Sequence, residues 1–392
     1  MNPRLKICFV CNEYPPMPAN GIGVFVQTLA EQLAGLGADV WVVGYGKKDP
    51  KRFTQNGVQV HWIYLPHPLH KTVRIQGYPV SIARLIKRFY LSLSVNQLVR
   101  QENINLVESH DFSGPLAFRP PCPLVVRLHG SVLVYRHGEG RPDDMSPLDR
   151  HFEIKQVRMA NYLVGVSHHI DQETRQVMKL DQPCEVIYNG VDSDYFRPVP
   201  PATTHKQILF VGNLMWRKGV LDLLHAMPEI YERHPDAELI IAGGAGGQHS
   251  QQLTAELETL PSLVRQRVKL IGNVSRSRLP ELYNNAAVFV FPSRVEAFGL
   301  TCAEAMACGR PVVATSLASG PELVEDGISG LLADPRDPAE LASKICTLLE
   351  DKELARRLGT GARQRVLDHF NLHDLGSKNL AFYRSLFHEK TA

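Results

Sequence analysis

Two glutamates, Glu296 and Glu304, stand on either side of a loop that joins a predicted strand to a predicted helix. Carboxylates accept hydrogen bonds from hydroxyl groups, so this pair suits a ligand that carries hydroxyls at both ends. Eight residues of continuous helix would hold the two roughly 12 Å apart, but Glu296 lies in the loop and can fold back. Gly299 lies between them and, because it lacks a Cβ atom, lets the backbone approach a bound group closely.

The elements that hold these carboxylates are a short strand and the helix that follows it. Val288–Phe291 is an apolar run of the kind that forms a buried strand of a parallel sheet. We expect a helix to begin near Leu300 or Thr301, with Thr301 as its N-cap and Glu304 as the partner in a capping box. Gly309 should end that helix.

A second strand and helix follow immediately. Residues 311–315 predict another buried strand, and residues 320–322 open a short helix that Gly327 should end. Two successive strand-to-helix turns point two helix amino termini to the same edge of the sheet. Free amide groups and the helix dipole favour a phosphate there, so the sequence predicts an anion site flanked by two carboxylates.

The spacing Glu296-x7-Glu304, with Phe298-Gly299-Leu300 inside it and Gly309-Arg310-Pro311-Val312-Val313 after it, resembles the donor-site motif of the retaining family 4 glycosyltransferases. An ordinary strand, loop and helix with two surface glutamates is the alternative. The resemblance implies an α/β protein of the GT-B fold, with two Rossmann-like doubly wound domains facing a central cleft. It places an acceptor-side domain at residues 1–200, a nucleotide-sugar-binding domain at 201–372, and a helix returning to the first domain at 373–392.

Residues 212–219 resemble the family turn Gly-Arg-Leu-x3-Lys-Gly, whose arginine and lysine neutralise the donor diphosphate. Lys218 and Gly219 match. Asn213 replaces the usual arginine, which removes a bidentate phosphate contact. Our hypothesis is that the neighbouring Arg217 compensates.

In the first domain, a loop before a helix predicted at about 24–36 resembles the family's glycine-rich turn, whose backbone faces the donor phosphate and the acceptor. Gly21 and Gly23 are the matching glycines, although a plain tight turn would look the same. His129 resembles the family histidine that contacts the donor sugar near its anomeric carbon, the alternative being a hydrogen-bonded loop histidine.

Acceptor contacts are expected in the same domain, around His110, Asp111 and Arg136. Residues 135–147 are polar and rich in glycine, and predict an acceptor-side lid before a helix that Ser146 caps.

The resemblance therefore implies transfer of a sugar, with retention at the anomeric carbon, from a nucleoside diphosphate sugar to a hydroxyl of a glycan, lipid-linked or small-molecule acceptor. UDP is favoured as the nucleotide and GDP is second. It implies no cofactor, no metal and no enzyme nucleophile. The predicted catalytic residues are Glu296, His129 and Lys218. The predicted donor-binding residues are Gly21, Gly23, Asn213, Arg217, Phe298, Gly299, Leu300, Thr301 and Glu304. A phosphorylase, an epimerase of similar architecture and a non-catalytic sugar-nucleotide sensor are the alternatives.

Composition limits the other classes. With 392 residues, 44% apolar content and a net charge of +3, the chain is globular, has room for two domains and carries too little charge to indicate nucleic-acid binding. No secretory signal and no apolar run of about 18 residues is present, so we expect a cytoplasmic protein. The seven cysteines, including the pair Cys8-x-x-Cys11, fit reduced core residues. Asp192-x-Asp194 follows an Asn-Gly turn and fits a turn rather than a metal site.

A basic helix is predicted between residues 79 and 100. The apolar residues Ile82, Leu85, Ile86, Phe89 and Leu93 share one face, and the opposite face carries Arg84, Lys87 and Arg88. A basic face in water is one interpretation. Peripheral contact with anionic lipid at the inner face of the membrane, or with an acidic acceptor, is the other.

Overall fold

The computed structural model describes residues 4–17, 21–46, 51–64, 78–140, 145–200, 206–244 and 246–388. The chain divides into two compact units. Unit 1 contains the residues up to Ile187 and those from His373 onward, and unit 2 contains Tyr188–Leu372. The division falls before Tyr188, whereas the sequence predicted it at residue 200.

Unit 1 is built on an eight-stranded sheet. Its elements are β1 (Lys6–Val10), α1 (Gly21–Gly35), β2 (Asp39–Tyr45), β3 (Lys51–Gln55), β4 (Val58–Ile63), α2 (Tyr78–Glu102), β5 (Leu106–His110), β6 (Leu124–Leu128), α3 (Val132–Gly138), α4 (Pro147–Arg158), β7 (Tyr162–Gly165), α5 (His168–Met178) and β8 (Cys184–Val186). The strand order is β3-β4-β2-β1-β5-β6-β7-β8, and all neighbours are parallel except β3 and β4. The order reverses between β1 and β5, so their carboxyl ends mark the switch point where such sheets bind ligands.

Unit 2 has a six-stranded sheet in which every pair is parallel. Its elements are β9 (Gln207–Val211), α6 (Val220–Arg233), β10 (Glu238–Ala242), α7 (Gly247–Thr259), α8 (Ser262–Arg265), β11 (Val268–Gly272), α9 (Leu279–Asn285), β12 (Val288–Phe291), α10 (Leu300–Ala307), β13 (Val312–Thr315), α11 (Gly320–Leu323), β14 (Leu331–Ala333), α12 (Pro338–Glu350) and α13 (Lys352–His369), with 3-10 turns at Trp216–Lys218 and Arg276–Arg278. The order β11-β10-β9-β12-β13-β14 places the switch point between β9 and β12. The prediction of an α/β protein with two Rossmann-like doubly wound domains is confirmed.

The last helix, α14 (Leu372–His388), is joined to the sheet of unit 1 by a buried polar network. Arg127 on β6 donates to Glu108 on β5 at 2.7 Å, and the hydroxyl of Tyr383 on α14 donates to the same carboxylate at 2.6 Å. All three side chains are almost completely buried. Because a buried charge must be paired and hydrogen-bonded, this network fixes α14 against β5 and β6.

The predicted faces of α2 are wrong. Phe89 and Leu93 were expected to be buried but are 46% and 57% exposed, whereas Arg88 is only 5% exposed. The Arg88 guanidinium donates to the carbonyl of Gly114 at 3.0 Å and to Asp149 of α4 at 2.9 Å. Because this buried cation must keep these acceptors, the face of α2 that carries Arg88 points into the protein. Arg88 is therefore not available to lipid or to an acidic acceptor. The side chain of Ile82 lies outside the described residues.

Three predicted boundaries also shift. Helix α1 begins at Gly21, three residues before the predicted start, and α11 ends at Leu323 rather than at Gly327. Residues 135–138 of the predicted lid region belong to helix α3, and residues 141–144 lie outside the described part of the chain. The predicted cap is confirmed, since Ser146 accepts the amide of Asp149 at 3.1 Å and α4 begins at Pro147.

The side-chain predictions for the cysteines and for Asp192 agree with the structure. All seven cysteines are free thiols, and Cys8 lies inside β1. Asp192 accepts the amides of Asp194 and Tyr195, at 3.2 and 2.9 Å, which confirms that it forms a turn. No helix in the described ranges combines the length and apolar composition needed to cross a bilayer.

Candidate active site

An ion pair between Lys218 and Glu296 lies at the switch point of unit 2. Lys218 ends the 3-10 turn that follows β9, Glu296 lies in the loop that follows β12, and the Lys218 ammonium donates to Oε2 of Glu296. The two segments are tied together by their backbones, because the amide of Arg294 donates to the carbonyl of Arg217 at 2.8 Å. Two residues that are 78 positions apart in the chain therefore share one edge of the sheet.

Gly219 makes this approach possible. Its φ is +71°, in the left-handed region, and a Cβ atom there would lie 1.9 Å from the carbonyl oxygen of Pro292. No side chain fits at that distance. The glycine that matches the family turn is therefore required by the contact between the β9 turn and the β12 loop.

Glu296 is an ionised carboxylate in a buried position. Burial alone raises its pKa, but the charge and hydrogen bond of Lys218, the charge of Arg217 and the amide of Ala297 outweigh burial and lower the pKa below its ordinary value. Arg217 therefore supplies a second positive charge that acts on this carboxylate. Asn213, in contrast, has an exposed side chain.

Helix α10 begins at Leu300, but its predicted cap is wrong. The N-cap is Gly299, with φ +101° and no side-chain hydrogen bond, so Thr301 caps nothing and Glu304 is not part of a capping box. A Cβ atom on Gly299 would lie 2.7 Å from the ring of Phe291, so a larger residue is excluded by packing as well as by φ. The first-turn amides of Leu300 and Thr301 have no acceptor within the helix and can donate to a ligand.

The carboxylate of Glu304 instead accepts the hydroxyl of Tyr283 at 2.8 Å, with Arg276 at 4.0 Å. Burial raises the pKa of Glu304 to about 7, although the Tyr283 hydrogen bond and the Arg276 charge oppose the shift. The two predicted carboxylates therefore differ at neutral pH, because Glu296 is ionised and Glu304 is close to half protonated. Such a separation of pKa values is typical of functional sites.

The side chain of Phe298 belongs to the core. It is 2% exposed, and its ring packs 5.5 Å from that of Phe370 and 6.1 Å from that of Tyr188. Because this side chain is buried, the backbone of Phe298 is left to contact the donor, and that contact stays a prediction. Its carbonyl accepts the hydroxyl of Ser319 at 2.8 Å, which ties the loop to the start of α11.

Sequence reasoning missed two residues that brace this edge. Asp222 in the first turn of α6 accepts two hydrogen bonds from Arg294, one of them at 2.8 Å, and Arg294 lies over the ring of Trp216 at 4.8 Å. A bidentate pair that also stacks on an aromatic ring holds the β12 loop against the β9 turn. No spacing rule signals this pair, because 72 residues separate its members.

In unit 1, His129 follows β6 at the carboxyl edge of the sheet and is partly buried. The ring of His129 meets the ring of Phe25 edge-on at 5.0 Å, and the Arg127 guanidinium lies over the Phe25 ring at 4.9 Å. Burial, followed by the charges of Arg127 and His110, lowers the pKa of His129 well below its ordinary value. His129 is therefore neutral at physiological pH and can donate or accept a hydrogen bond.

Asp111 is buried and positions His129, and its predicted part in the acceptor pocket stays a prediction. It is 0% exposed, and its two oxygens accept the amides of His129 at 3.0 Å and Gly130 at 3.1 Å. Burial raises the pKa of Asp111 to about 7 despite these bonds.

Glu153 on α4, which the sequence did not single out, completes this arrangement. Its carboxylate accepts the amides of Ser113 at 2.8 Å, Val132 at 3.1 Å and Leu133 at 3.0 Å. Two buried carboxylates therefore hold the turns after β5 and β6 through five backbone amides.

The other predicted site residues of unit 1 differ in position and burial. Gly21 and Gly23 lie in the first turn of α1 rather than in the loop before it. A Cβ atom on Gly23 would lie 2.2 Å from the carbonyl oxygen of Glu13, so this glycine serves packing, whereas Gly21 has open space around it. His110 ends β5, and burial lowers its pKa to about 4. Arg136 lies half-buried on α3.

Within the described residues, no three His, Cys, Asp or Glu side chains are grouped as metal ligands. The expectation of metal independence stays a prediction.

Two family models match the chain, and together they extend over most of it. The one described as "Glycosyl transferases group 1" matches residues 192–365, and the one described as "Glycosyltransferase Family 4" matches residues 19–195. The first contains the Lys218–Glu296 site and Glu304, and the second contains His129 and Asp111.

Individual proteins agree with these matches. The chain is 27% identical to the glycogen synthase of Mycobacterium tuberculosis, over 97% of the chain and 94% of that protein. The fold is similar to that of sucrose-phosphate synthase from Thermosynechococcus elongatus, with a TM-score of 0.82, 23% identity and coverage of 98% and 100%. It is also similar to the Anabaena protein HepE, whose structure is of a complex with UDP-glucose, with a TM-score of 0.74, 20% identity and coverage of 97% and 100%.

Proposed function

This chain belongs to the family 4 glycosyltransferases of group 1, with the GT-B fold, and on that premise we propose that it transfers a hexosyl group from a UDP-sugar to a hydroxyl, with retention and without a metal. The acceptor classes are a glycan, a lipid-linked molecule and a small molecule, and a GDP-sugar is the second choice of donor. The observation that carries the proposal is the Lys218–Glu296 pair at the switch point of unit 2, beside the first turn of α10.

The donor diphosphate would bind between Lys218 and α10. An ammonium group has three donors, so Lys218 can keep its bond to Glu296 and still donate to a phosphate oxygen. The free amides of Leu300 and Thr301 and the helix dipole add to this site, and Arg217 supplies a second cation near it. These donors would stabilise the charge that develops on the leaving UDP.

The two carboxylates would bind the two ends of the donor. Glu296, ionised and held by Lys218, accepts a hydrogen bond from a sugar hydroxyl. Glu304, in the second turn of α10, accepts the ribose hydroxyls while it stays hydrogen-bonded to Tyr283. Each carboxylate oxygen has more than one acceptor site, so both sets of bonds are compatible.

His129 lies on the turn that Asp111 and Glu153 hold, and the contact with the donor sugar that the resemblance implies for it stays a prediction. We assign no enzyme nucleophile. The bond between the anomeric carbon and the phosphate oxygen breaks, the acceptor oxygen bonds to the same face of that carbon, and the departing phosphate takes the acceptor proton. Every proton and bond is then accounted for without a covalent enzyme intermediate.

A thermal-shift panel of UDP, GDP and ADP sugars, with and without EDTA, tests the donor and the metal together. A ligand at a hundred times its dissociation constant stabilises a protein by about 2.7 kcal/mol. We expect a shift with UDP-sugars that EDTA does not change, in line with the UDP-glucose complex of HepE. A shift that appears only with a divalent cation would overturn metal independence.

Retention is tested on the product. The coupling constant of the anomeric proton in the product, measured by NMR, should show the same configuration as in the donor. An inverted product would overturn the mechanism. Release of a sugar phosphate only when inorganic phosphate is the acceptor would identify a phosphorylase instead.

A further inference from the structure

A cavity of about 730 Å³, open to solvent on one side, lies on unit 2 at the edge of the sheet that the donor site does not use. Its wall includes Lys206, Asp236, Ala287 and Pro311, which come just before β9, β10, β12 and β13. The amino ends of parallel strands share one edge. Lys218 and Glu296 follow the carboxyl ends, so a strand length of about 15 Å separates the cavity from them.

The other wall is one face of α13. Residues along this helix line the cavity at intervals of three and four, from Lys352 at its first turn to Leu367 near its end. Gly359 in the middle lets α13 pack closely, because a Cβ atom there would lie 2.3 Å from the carbonyl oxygen of Gly309. The cavity is thus formed by a helix and a sheet edge in close contact.

The lining is strongly basic. Five cations and one carboxylate, Asp236, line it. The cations are Lys206, Arg310, Lys352, Arg356 and Arg363. Lys206 pairs with Asp236 at 3.1 Å, and Arg356 pairs with Glu353, which does not line the cavity. Among the described residues, no carboxylate lies within ion-pair distance of Arg310, Lys352 or Arg363.

Arg310 is the cation in this lining whose burial is least compensated. It is half-buried, and one of its terminal nitrogens donates to the carbonyl of Asn284 at 3.1 Å. Its Nε is buried and has no acceptor in the part of the chain that the structure describes. Burial lowers the pKa of Arg310, which means that its charge is destabilised where it stands. A buried cation with an unsatisfied donor is costly, and an anion would relieve both penalties.

Arg363 has a structural role that explains its presence without a ligand. It donates to the carbonyls of Phe196 at 3.3 Å and Ala307 at 2.5 Å, and so ties the start of unit 2 to the end of α10. Across the residues that the structure describes, Lys352 and Arg356 make no such backbone contacts, and both side chains are exposed on the first two turns of α13, where Arg356 donates only to Glu353 of the same helix, at 2.6 Å. These two cations and Arg310 are therefore the residues that are available to bind an anion.

We propose that this cavity binds a small phosphorylated metabolite, with its phosphate held by Arg310, Lys352 and Arg356. Guanidinium groups match phosphate oxygens in pairs, and a lysine adds a point charge. The volume is in the range of small-molecule sites, and Pro198, Leu348, Leu349 and Leu367 supply an apolar wall for the rest of the molecule. The inference does not depend on the transferase reaction, since it concerns the opposite edge of the sheet.

Isothermal titration of the full chain with inorganic phosphate and with glucose 6-phosphate tests this site. Lys352→Ala/Arg356→Ala removes two exposed cations from the cavity and should weaken both probes at least tenfold. The matched control is Lys344→Ala/Arg357→Ala, which removes one lysine and one arginine from α12 and α13 outside the cavity and should leave both affinities within twofold. Ala355→Phe keeps every charge but fills the cavity, and should weaken glucose 6-phosphate at least tenfold.

Three results would overturn the proposal. The first is no binding of either probe to the wild-type chain. The second is an equal loss of affinity in the two double variants, which would indicate only a general effect of charge. The third is a loss of phosphate binding with Lys218→Met and none with Lys352→Ala/Arg356→Ala, which would place the anion at the other edge of the sheet.

Discussion

Replacing Lys218 by Met tests the ion pair around which the donor site is built. The change keeps most of the side-chain volume but removes the charge that holds Glu296 ionised. Breaking a buried ion pair by removing one partner costs about 3–5 kcal/mol. The two side chains are 18% and 11% exposed, and Arg217 and the Ala297 amide stay close to the carboxylate. We therefore expect a loss of about 2 kcal/mol at neutral pH, or a fall in Tm of about 4–8 °C.

The loss should depend on pH. The pKa of Glu296 is lowered in the folded protein, so its contribution to stability is present above its ordinary pKa of about 4.3 and is lost as the pH falls through the folded value. In Lys218→Met that contribution is missing. Thermal unfolding followed by circular dichroism should show the full gap between wild type and variant at pH 7 and a narrowing gap toward pH 4.

A double-mutant cycle provides the control. Glu296→Gln should cost little in the Lys218→Met background, because the buried charge that lacked a partner is then gone. We expect a coupling free energy of about 1–2 kcal/mol between the two positions. Additive effects, within about 0.5 kcal/mol, together with a gap that does not change with pH, would refute the reasoning.

Three further predictions concern other parts of the two units. Burial raises the pKa of Glu304 to about 7, so UDP affinity measured by titration calorimetry should rise about tenfold from pH 6 to pH 8, and Glu304→Gln should remove that dependence. Gly219→Ala should lower the free energy of unfolding by more than about 3 kcal/mol in chemical denaturation, because its Cβ would meet a carbonyl oxygen at 1.9 Å. Gly272→Ala is its control, with a similar φ of +69° and no atom within 4 Å, and should cost about 1 kcal/mol. Burial raises the pKa of Asp111 to about 7, so the contribution of this group to the free energy of unfolding is lost as the pH rises from about 4 to 7. Asp111→Asn should unfold with less dependence on pH in that range, while kcat falls more than the KM for the donor rises.

Strand β12 and helix α10 could be predicted from the sequence because their signals are local. The apolar run Val288–Phe291 is a buried strand, and Gly309, with φ +67°, ends α10 after Ala307. The cap could not be predicted, because Thr301 and Glu304 have the residue types of a capping box. The N-cap is instead Gly299, the helix begins at Leu300, and the Glu304 side chain accepts a hydrogen bond from Tyr283. A tertiary partner decided between two locally acceptable arrangements.

Other errors have the same origin. The amphipathic pattern of α2 does not include Asp149 and the carbonyl of Gly114, which draw Arg88 into the interior. Glu153, which organises the turns after β5 and β6, looks like an ordinary helix glutamate in the sequence. Such residues act through contacts with distant parts of the chain, so only the fold shows them.

The central claim is that Lys218 and the first turn of α10 bind the donor diphosphate. Titration calorimetry of UDP, in EDTA, into the wild-type chain and into Lys218→Met tests it most directly, at a temperature where both are folded. The account predicts tight binding by the wild type and an affinity at least tenfold lower for the variant, because a charge-assisted bond to phosphate contributes about 1.5–3 kcal/mol. Equal affinities in the two proteins would contradict it.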